Sequence, residues 1–419
     1  MKRVFDRADI LLPRDCDMTK WSVVACDQFS SQPEYWDALE QATAGVPSTL
    51  HLMFPEAYLD THDQFAEAEK INAEMERYLA QGVFRTLKDS YVYVERTLCT
   101  GEVRRGLLGV LDLDAYDYAK DSVSPIRATE GTIESRLPPR VRVREGAALE
   151  MPHIMVFIDD PENRVMGLLD GIKAQMPELY DFDLSADGGH IRGWQVSGTD
   201  ADAAEKALDA LADPAMLRAR YGDAAPVLYA MGDGNHSLAT AKKCWEAIKP
   251  QLSEAERETH PARCSLVELV NIHDAAIGFE PIHKVIFETD PAAFLIEAGD
   301  ALAALSGDAD TCHTLRLLTA AGERELTIRG LTIGQIIGAA EDVCQRYMAK
   351  HGGKIDYIHN DDTAAGMGRR ADGAAILLPR MEKGELFPSI VRSGPFPKKS
   401  FSIGHAQDKR YYLECRRIK

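Results

Sequence analysis

Apolar and polar positions fall into a few clear rhythms along this chain, and each rhythm predicts an element. Phe65, Ala68, Ile71, Met75 and Leu79 recur at helical spacing among charges, so residues 61–80 are predicted as an amphipathic helix whose glutamates form a solvated face. Thr61 and Gln64 have the spacing of a capping box, and Gly82 ends the run. Apolar runs at 91–99 and 103–113 flank Thr100-Gly101 and predict a β-hairpin. A buried strand is expected at 153–158, a helix near 161–175, a strand pair at 179–184 and 190–196 joined across Asp187-Gly188-Gly189, and a second helix at 200–211. The unbroken apolar run 264–272 predicts a further buried strand. Downstream lie a helix at 291–305, strands at 313–319 and 323–328, a long helix at 333–350, and short strands at 356–358 and 374–378 around a helix at 362–370. Residues 1–60 read as irregular, with a short strand at 22–26 and a helix at 33–42 entered through Pro33. Strict βα alternation is absent, so the fold class is α+β, with mixed sheets and flanking helices.

One stretch differs in kind. Residues 227–243, VLYAMGDGNHSLATAKK, begin as an apolar strand, break at Gly232-Asp233-Gly234 and resume as an alanine-rich helix. Two glycines permit a left-handed backbone and close approach, and Asn235 or Ser237 is placed to cap the helix. Free N–H groups and the macrodipole make that helix start a seat for an anion beside Asp233 and His236. Gly-Asp-Gly-Asn is also ordinary turn chemistry, so spacing alone leaves both readings open. The stretch lacks the Gly-Lys-Ser/Thr ending of a Walker loop and the third glycine of a dinucleotide fingerprint.

Composition narrows the function classes. The chain has 419 residues, 45% of them hydrophobic, enough for a large core divided among two or three lobes, expected at 1–122, 123–289 and 290–419. A net charge of −18 argues against a nucleic-acid surface. Eight cysteines without CxxC spacing disfavour zinc knuckles and a disulfide framework, and fit reduced thiols in the cytoplasm. No secretory leader is expected, because Asp6, Arg7 and Asp9 break up the start, and no apolar run reaches the roughly 20 residues of a membrane span. His236, His273 and His283 lack helix-based zinc spacing, so no metal site is assigned to them. Against the acidic background, residues 392–419 hold eight Lys or Arg and only Asp408 and Glu414, which suits an anionic partner. Pro395-Phe396-Pro397 stiffens the approach to Lys398-Lys399-Ser400. A second basic stretch, 124–144, carries Arg127, Arg136, Arg140, Arg142 and Arg144 amid Thr129, Glu130 and Thr132. Arginine forks there suit phosphate or carboxylate, while Arg140, Arg142 and Arg144 are expected to pair with surface acids.

GDGNHSLATAK resembles the DGHHR-type signature of domain-of-unknown-function family 1015. SPIRATEGTI at 124–133, FEPIHKVIF at 279–287 and PFPKKSFSIGHAQDKRYYLE at 395–414 agree with the same family in order, as does the opening ADILLPRDCDMTKWSVVACDQFSSQPEYWDALE. Asn235 stands at the family's first His position and Ser237 at its Arg position. The signature turn is similar to that of the ParB/sulfiredoxin-like nucleotide-binding fold, which includes an archaeal free-serine kinase, and that element is expected around 227–249. The resemblance implies that Asp27 and Gln28 at the N-terminal strand end belong to the site, and singles out Arg127, Thr129, Glu130, His283 and Lys284.

The reading is an enzyme for a phosphate-bearing small molecule, most concretely a nucleotide-dependent phosphotransferase using Mg²⁺ with ATP or ADP. Asp233, His236 and Glu130 would be catalytic. Gly232, Gly234, Asn235 and Ser237 would cradle phosphate, with Arg127, Thr129, His283, Lys284, Lys398 and Lys399 around the ligand. The basic tail would return to the site. Phosphoester hydrolysis and a non-catalytic nucleotide or metabolite sensor are the alternatives. No nucleic-acid or membrane partner is expected.

Overall fold

The two long strands Phe84–Thr97 and Val103–Asp112 form the predicted hairpin, and the largest sheet is assembled on both of its sides. The computed structural model describes residues 3–131, 137–151, 153–307, 311–404 and 406–419. Thr132 and Arg136 in the first basic stretch, and part of the loop 307–310, lie outside the described residues. Among the described residues the sheet has eleven strands, in the order Glu178–Asp183, His190–Val196, Phe84–Thr97, Val103–Asp112, Cys264–Asn271, Met155–Ile158, Tyr229–Asp233, Ile126–Arg127 and Tyr116–Asp117, with Phe5–Asp6 and Ala8–Pro13 added to the hairpin. Pairing is antiparallel except where Cys264–Asn271 meets Met155–Ile158, and where Ile126–Arg127 meets Tyr229–Asp233 and Tyr116–Asp117. The fold is therefore mixed α+β.

A five-stranded sheet forms the other half, in the order Gly322–Arg329, Cys312–Thr319, Ala374–Leu377, His283–Phe287 and Lys354–Ile358. Helices Pro291–Ala303 and Ile333–His351 pack on it and bury Phe294, Leu302, Ile336, Ile337 and Tyr347 with sheet residues Ile286, Leu315 and Leu317.

The sheets cross the expected lobe boundaries. Strands from both 1–122 and 123–289 pair in the large sheet, so no division falls at 122, and the smaller sheet begins at His283 rather than at 290. The last residues leave that half altogether: Tyr411–Tyr412 pairs with Val23–Val24, and Arg416–Arg417 with Leu149–Glu150. Local periodicity reports an element but not the strand it pairs with, which explains the difference.

Other differences are local. The helix expected at 61–80 is Gln64–Ala80, and Asp63 caps it by accepting from Phe65 N at 2.9 Å, so the Thr61/Gln64 capping box does not form. Phe65, expected in the core, is 62% exposed, with the Arg142 guanidinium 3.9 Å from its ring centre. Helices Leu137–Gly146, Pro214–Tyr221 and Leu386–Ser393 were not expected, because prolines or alternating charges blur their 3.6-residue period. No disulfide joins any of the eight cysteines. Among the described residues no helix is long and apolar enough to cross a membrane.

Candidate active site

Sheet direction brings the site together. Ile126–Arg127 and Tyr229–Asp233 run parallel, so the segments leaving their carboxyl ends, Thr129-Glu130 and Asp233-Gly234, emerge at one edge. Met155–Ile158 runs antiparallel beside them, with Asp233 opposite Met155, and this puts His153 and Ile154, just before that strand, at the same edge. Carboxyl ends of parallel strands followed by a helix start are where mixed and α/β sheets most often hold ligands.

Gly234 adopts φ +75°, the left-handed region that favours glycine, and it caps the helix Asn235–Ile248. A Cβ on it would meet Ile154 Cα at 3.0 Å, so a side chain is excluded twice over. The expected capping by Asn235 or Ser237 does not occur, because the chain has already entered the helix at Asn235 and no side chain caps it. The Asn235 side-chain oxygen is buried without a protein partner. Leu238, Ala241 and Trp245 anchor the helix in the core, and Trp245 Nε1 donates to Asp114 at 2.9 Å. Gly232 is a packing glycine, since a Cβ there would stand 3.0 Å from the Phe157 ring. His236 and Ser237 lie half-buried in the first turn.

Asp233 accepts from Gly234 N at 2.9 Å and faces Lys409 Nζ at 3.0 Å. Burial pushes its carboxyl up, but Lys409, His153 and the Gly234 N–H outweigh that and hold it below the ordinary carboxylate range. Lys409 is raised in turn, chiefly by Asp233. Its backbone is clamped from both sides. Arg96 and Arg104 donate to the carbonyls of Gln407 and Asp408 at 2.9 Å, and Arg410 is buried between Glu268 (2.6 Å) and Glu414 (2.7 Å).

Glu130 behaves in the opposite way. Burial pushes its carboxyl up to about 7 and the Asp233 charge adds to this, against Ser400 N, Lys284 and Lys409, which favour the ionised form. Ser400 N donates to Glu130 Oε1 at 3.3 Å, and Phe396 N to Thr129 O at 2.7 Å, so the turn with Lys398 and Lys399 is sewn onto the 129–130 segment. Ile282 N donates to Ser400 O at 3.2 Å, and Phe279–Pro281 pairs with Phe401–Ile403. Lys399, in the left-handed region at φ +57°, sets its ammonium 4.5 Å from the Tyr357 ring centre, and Lys284 lies 4.6 Å from the same ring. Lys398 is exposed.

Three sequence-derived assignments change. Arg127, expected as a phosphate clamp, is buried and donates to the carbonyls of Ser124 and Ala225 at 2.8 Å, so its fork latches loops instead of facing a ligand. His283, expected at the ligand, is fully buried. Its Nδ1 accepts from Leu378 N at 3.1 Å, which places the proton on Nε2, donated to Asp361 at 2.9 Å, and burial lowers its basicity. Lys284 is buried and paired with Glu341 at 2.9 Å, so it acts on Glu130 through space and not as an open phosphate contact. Thr129 is buried. Of the neighbouring arginines expected to pair with surface acids, Arg140 meets Glu56 and Arg144 meets the buried Glu150 at 2.6 Å, while Arg142 donates to the neutral Gln64 instead.

Sequence reasoning overlooked Lys409, His153 and Tyr412. Tyr412 OH lies 2.9 Å from His153 Nδ1 and donates to Cys26 Sγ at 3.1 Å, joining the N-terminal strand end, with Asp27 beside it, to the site. Burial pushes the Cys26 thiol up to about 11, which leaves it an inert packing group. Lys409 and Tyr412 both lie inside the 395–414 stretch, the signal that pointed to them. Beyond His153 a cavity of about 150 Å³ opens between helix Leu137–Gly146, the segment around Met53 and the start of the helix Asn235–Ile248. No group of three or more His, Cys, Asp or Glu placed to hold a metal occurs among the described residues.

Residues 11–367 match the family described as "Protein of unknown function (DUF1015)". The chain belongs to this family. No curated protein matches it. Among solved structures it is similar to a free serine kinase in complex with AMP, at 8% identity and TM-score 0.35, covering 74% of this chain and 90% of that one. It is also similar to a conserved hypothetical protein from Pyrococcus furiosus, at 9% identity and TM-score 0.32, over 74% and 94%. A third likeness is to SbnI with a C-terminal truncation from Staphylococcus aureus, at 9% and 0.33, over 71% and 82%. Likenesses at this level carry no information about what this DUF1015 chain binds.

Proposed function

We propose that this DUF1015 protein is an enzyme for a phosphate-bearing small molecule, most concretely a nucleotide-dependent phosphotransferase acting on a small metabolite. The observation that carries the reading is the pair of unlike carboxyls at one sheet edge: Glu130, raised to about 7, beside Asp233, held ionised by Lys409. Two carboxyls driven apart in this way suit a proton-transfer role for the first and an electrostatic role for the second. The helix start at Asn235–Ser237 provides N–H groups for phosphate, and Lys409 supplies positive charge beside it.

Glu130 takes the proton from the acceptor hydroxyl. Asp233 orients Lys409 toward the transferring group. Mg²⁺ bound to nucleotide phosphates needs only one or two carboxylates from the protein. Asp233, the ionised member of the pair, is the residue that would hold it, and it would neutralise phosphate charge. The test is phosphate transfer or release from ATP or ADP with Mg²⁺ across amino acids and hydroxy acids, wild type beside Glu130→Gln. Nucleotide binding without turnover in the wild type would favour the sensor instead.

A further inference from the structure

The site is charged at the helix start and apolar immediately next to it. The neighbouring cavity, of about 150 Å³, is walled by Met53, Phe54, Met75, Val143 and Met151. The charges in its lining are balanced, Arg140 by Glu56 and Arg144 by Glu150, so its interior suits an uncharged group. It shares a wall with the anion seat. Ile154 and Ser237 line the cavity, and Ile154 Cα is the atom that closes off Gly234 at the helix start. His153 and Tyr412, whose polar atoms are bonded to each other, stand where the apolar space meets the charged cluster. An apolar cavity of roughly 150 Å³ holds a hydrophobe the size of benzene.

We propose that this cavity receives an uncharged apolar group, the size of a phenyl ring or a branched butyl chain, on the same molecule whose anionic end sits at the helix start beside Asp233 and Lys409. The molecule that brings its anionic group to the helix start is then amphipathic, and phosphorylated molecules that are small and wholly polar are poor fits. The proposal rests on the phosphate-handling reading for the anionic end.

The experiment compares inorganic phosphate with phenyl phosphate by calorimetry on the full chain. Phenyl phosphate is expected to bind at least tenfold more tightly, and Val143→Phe, which fills the cavity from helix Leu137–Gly146, should erase that preference while leaving the phosphate Kd within twofold. Ala147→Met, from the same helix, replaces it if Val143→Phe does not fold. Equal affinities for the two probes in the wild type overturn the cavity assignment and leave the phosphate reading standing. Failure of both to bind overturns the phosphate reading. The cavity is then judged by titrating [¹³C-methyl]methionine protein with benzene: saturable shifts at Met53, Met75 and Met151 support the apolar subsite, and their absence overturns it.

Discussion

Lys409 holds its ammonium 3.0 Å from the carboxylate of Asp233, joining the basic tail to the turn that starts the central helix. The two groups shift each other in opposite directions, Asp233 downward from 3.8 and Lys409 upward from 10.5. A depressed carboxyl contributes stability above its unfolded pKa that is lost as pH falls through the folded one. A raised ammonium contributes below its unfolded pKa and loses it as pH rises. The pair therefore acts between about pH 4 and pH 10.5. Lys409→Met, which strands a largely buried carboxylate, should cost about 3 kcal/mol at pH 7. In urea unfolding that deficit should shrink as the pH is taken below 4, and a pH-independent deficit would show that packing, not charge, is what Lys409 contributes.

Glu130 has the reverse sign. Its folded pKa of about 7 exceeds the unfolded 4.5, so the unfolded state binds fewer protons between those values and stability falls as pH rises through that window. We expect Glu130→Gln to match the wild type at pH 4 and to exceed it by about 1–3 kcal/mol at pH 8. Under the proposed function the same variant loses about 10² or more in turnover, and wild-type kcat/KM rises with pH through about 7. An unfolding series at four pH values, run beside the transfer assay, checks both.

Asp233→Asn preserves size and hydrogen-bonding reach while removing the charge that faces Lys409. Nucleotide affinity should stay within about tenfold, roughly 1.4 kcal/mol, while turnover drops by about 10² or more. Full activity in the variant would remove Asp233 from the chemistry.

Gly234 is expected to tolerate no side chain. Gly234→Ala forces an L residue into φ +75° with its Cβ 3.0 Å from Ile154 Cα, a cost of about 1–3 kcal/mol. Gly234→Val should abolish phosphate binding even where the protein still folds. Calorimetry with phosphate, with circular dichroism to confirm folding, reads both outcomes, and undiminished phosphate affinity in a folded Gly234→Val would refute the cradle.

What the sequence determined by itself is whatever depends on neighbours along the chain. The hairpin whose strands pair over 92–97 and 103–108, the helices Gln64–Ala80, Asn235–Ile248 and Ile333–His351, and the strand-turn-helix with its obligatory Gly234 follow from period, turn chemistry and backbone sterics, all encoded within a few residues. Four ordered motifs also made the family legible, with Asp233 and Glu130 inside two of them. The tertiary structure decided what depends on distant partners. Arg127 and His283 carry suitable chemistry in the right motifs, yet their polar atoms are taken up by the carbonyls of Ser124 and Ala225, by Leu378 N and by Asp361. Lys409 looks in sequence like any other lysine of a basic tail. It becomes the partner of Asp233 because Arg410 is buried between Glu268 and Glu414, and Tyr411–Tyr412 pairs with Val23–Val24. Burial and through-space charge, not residue type, set Glu130 near 7 and Asp233 below its usual range, and both are properties of the assembled sheet edge.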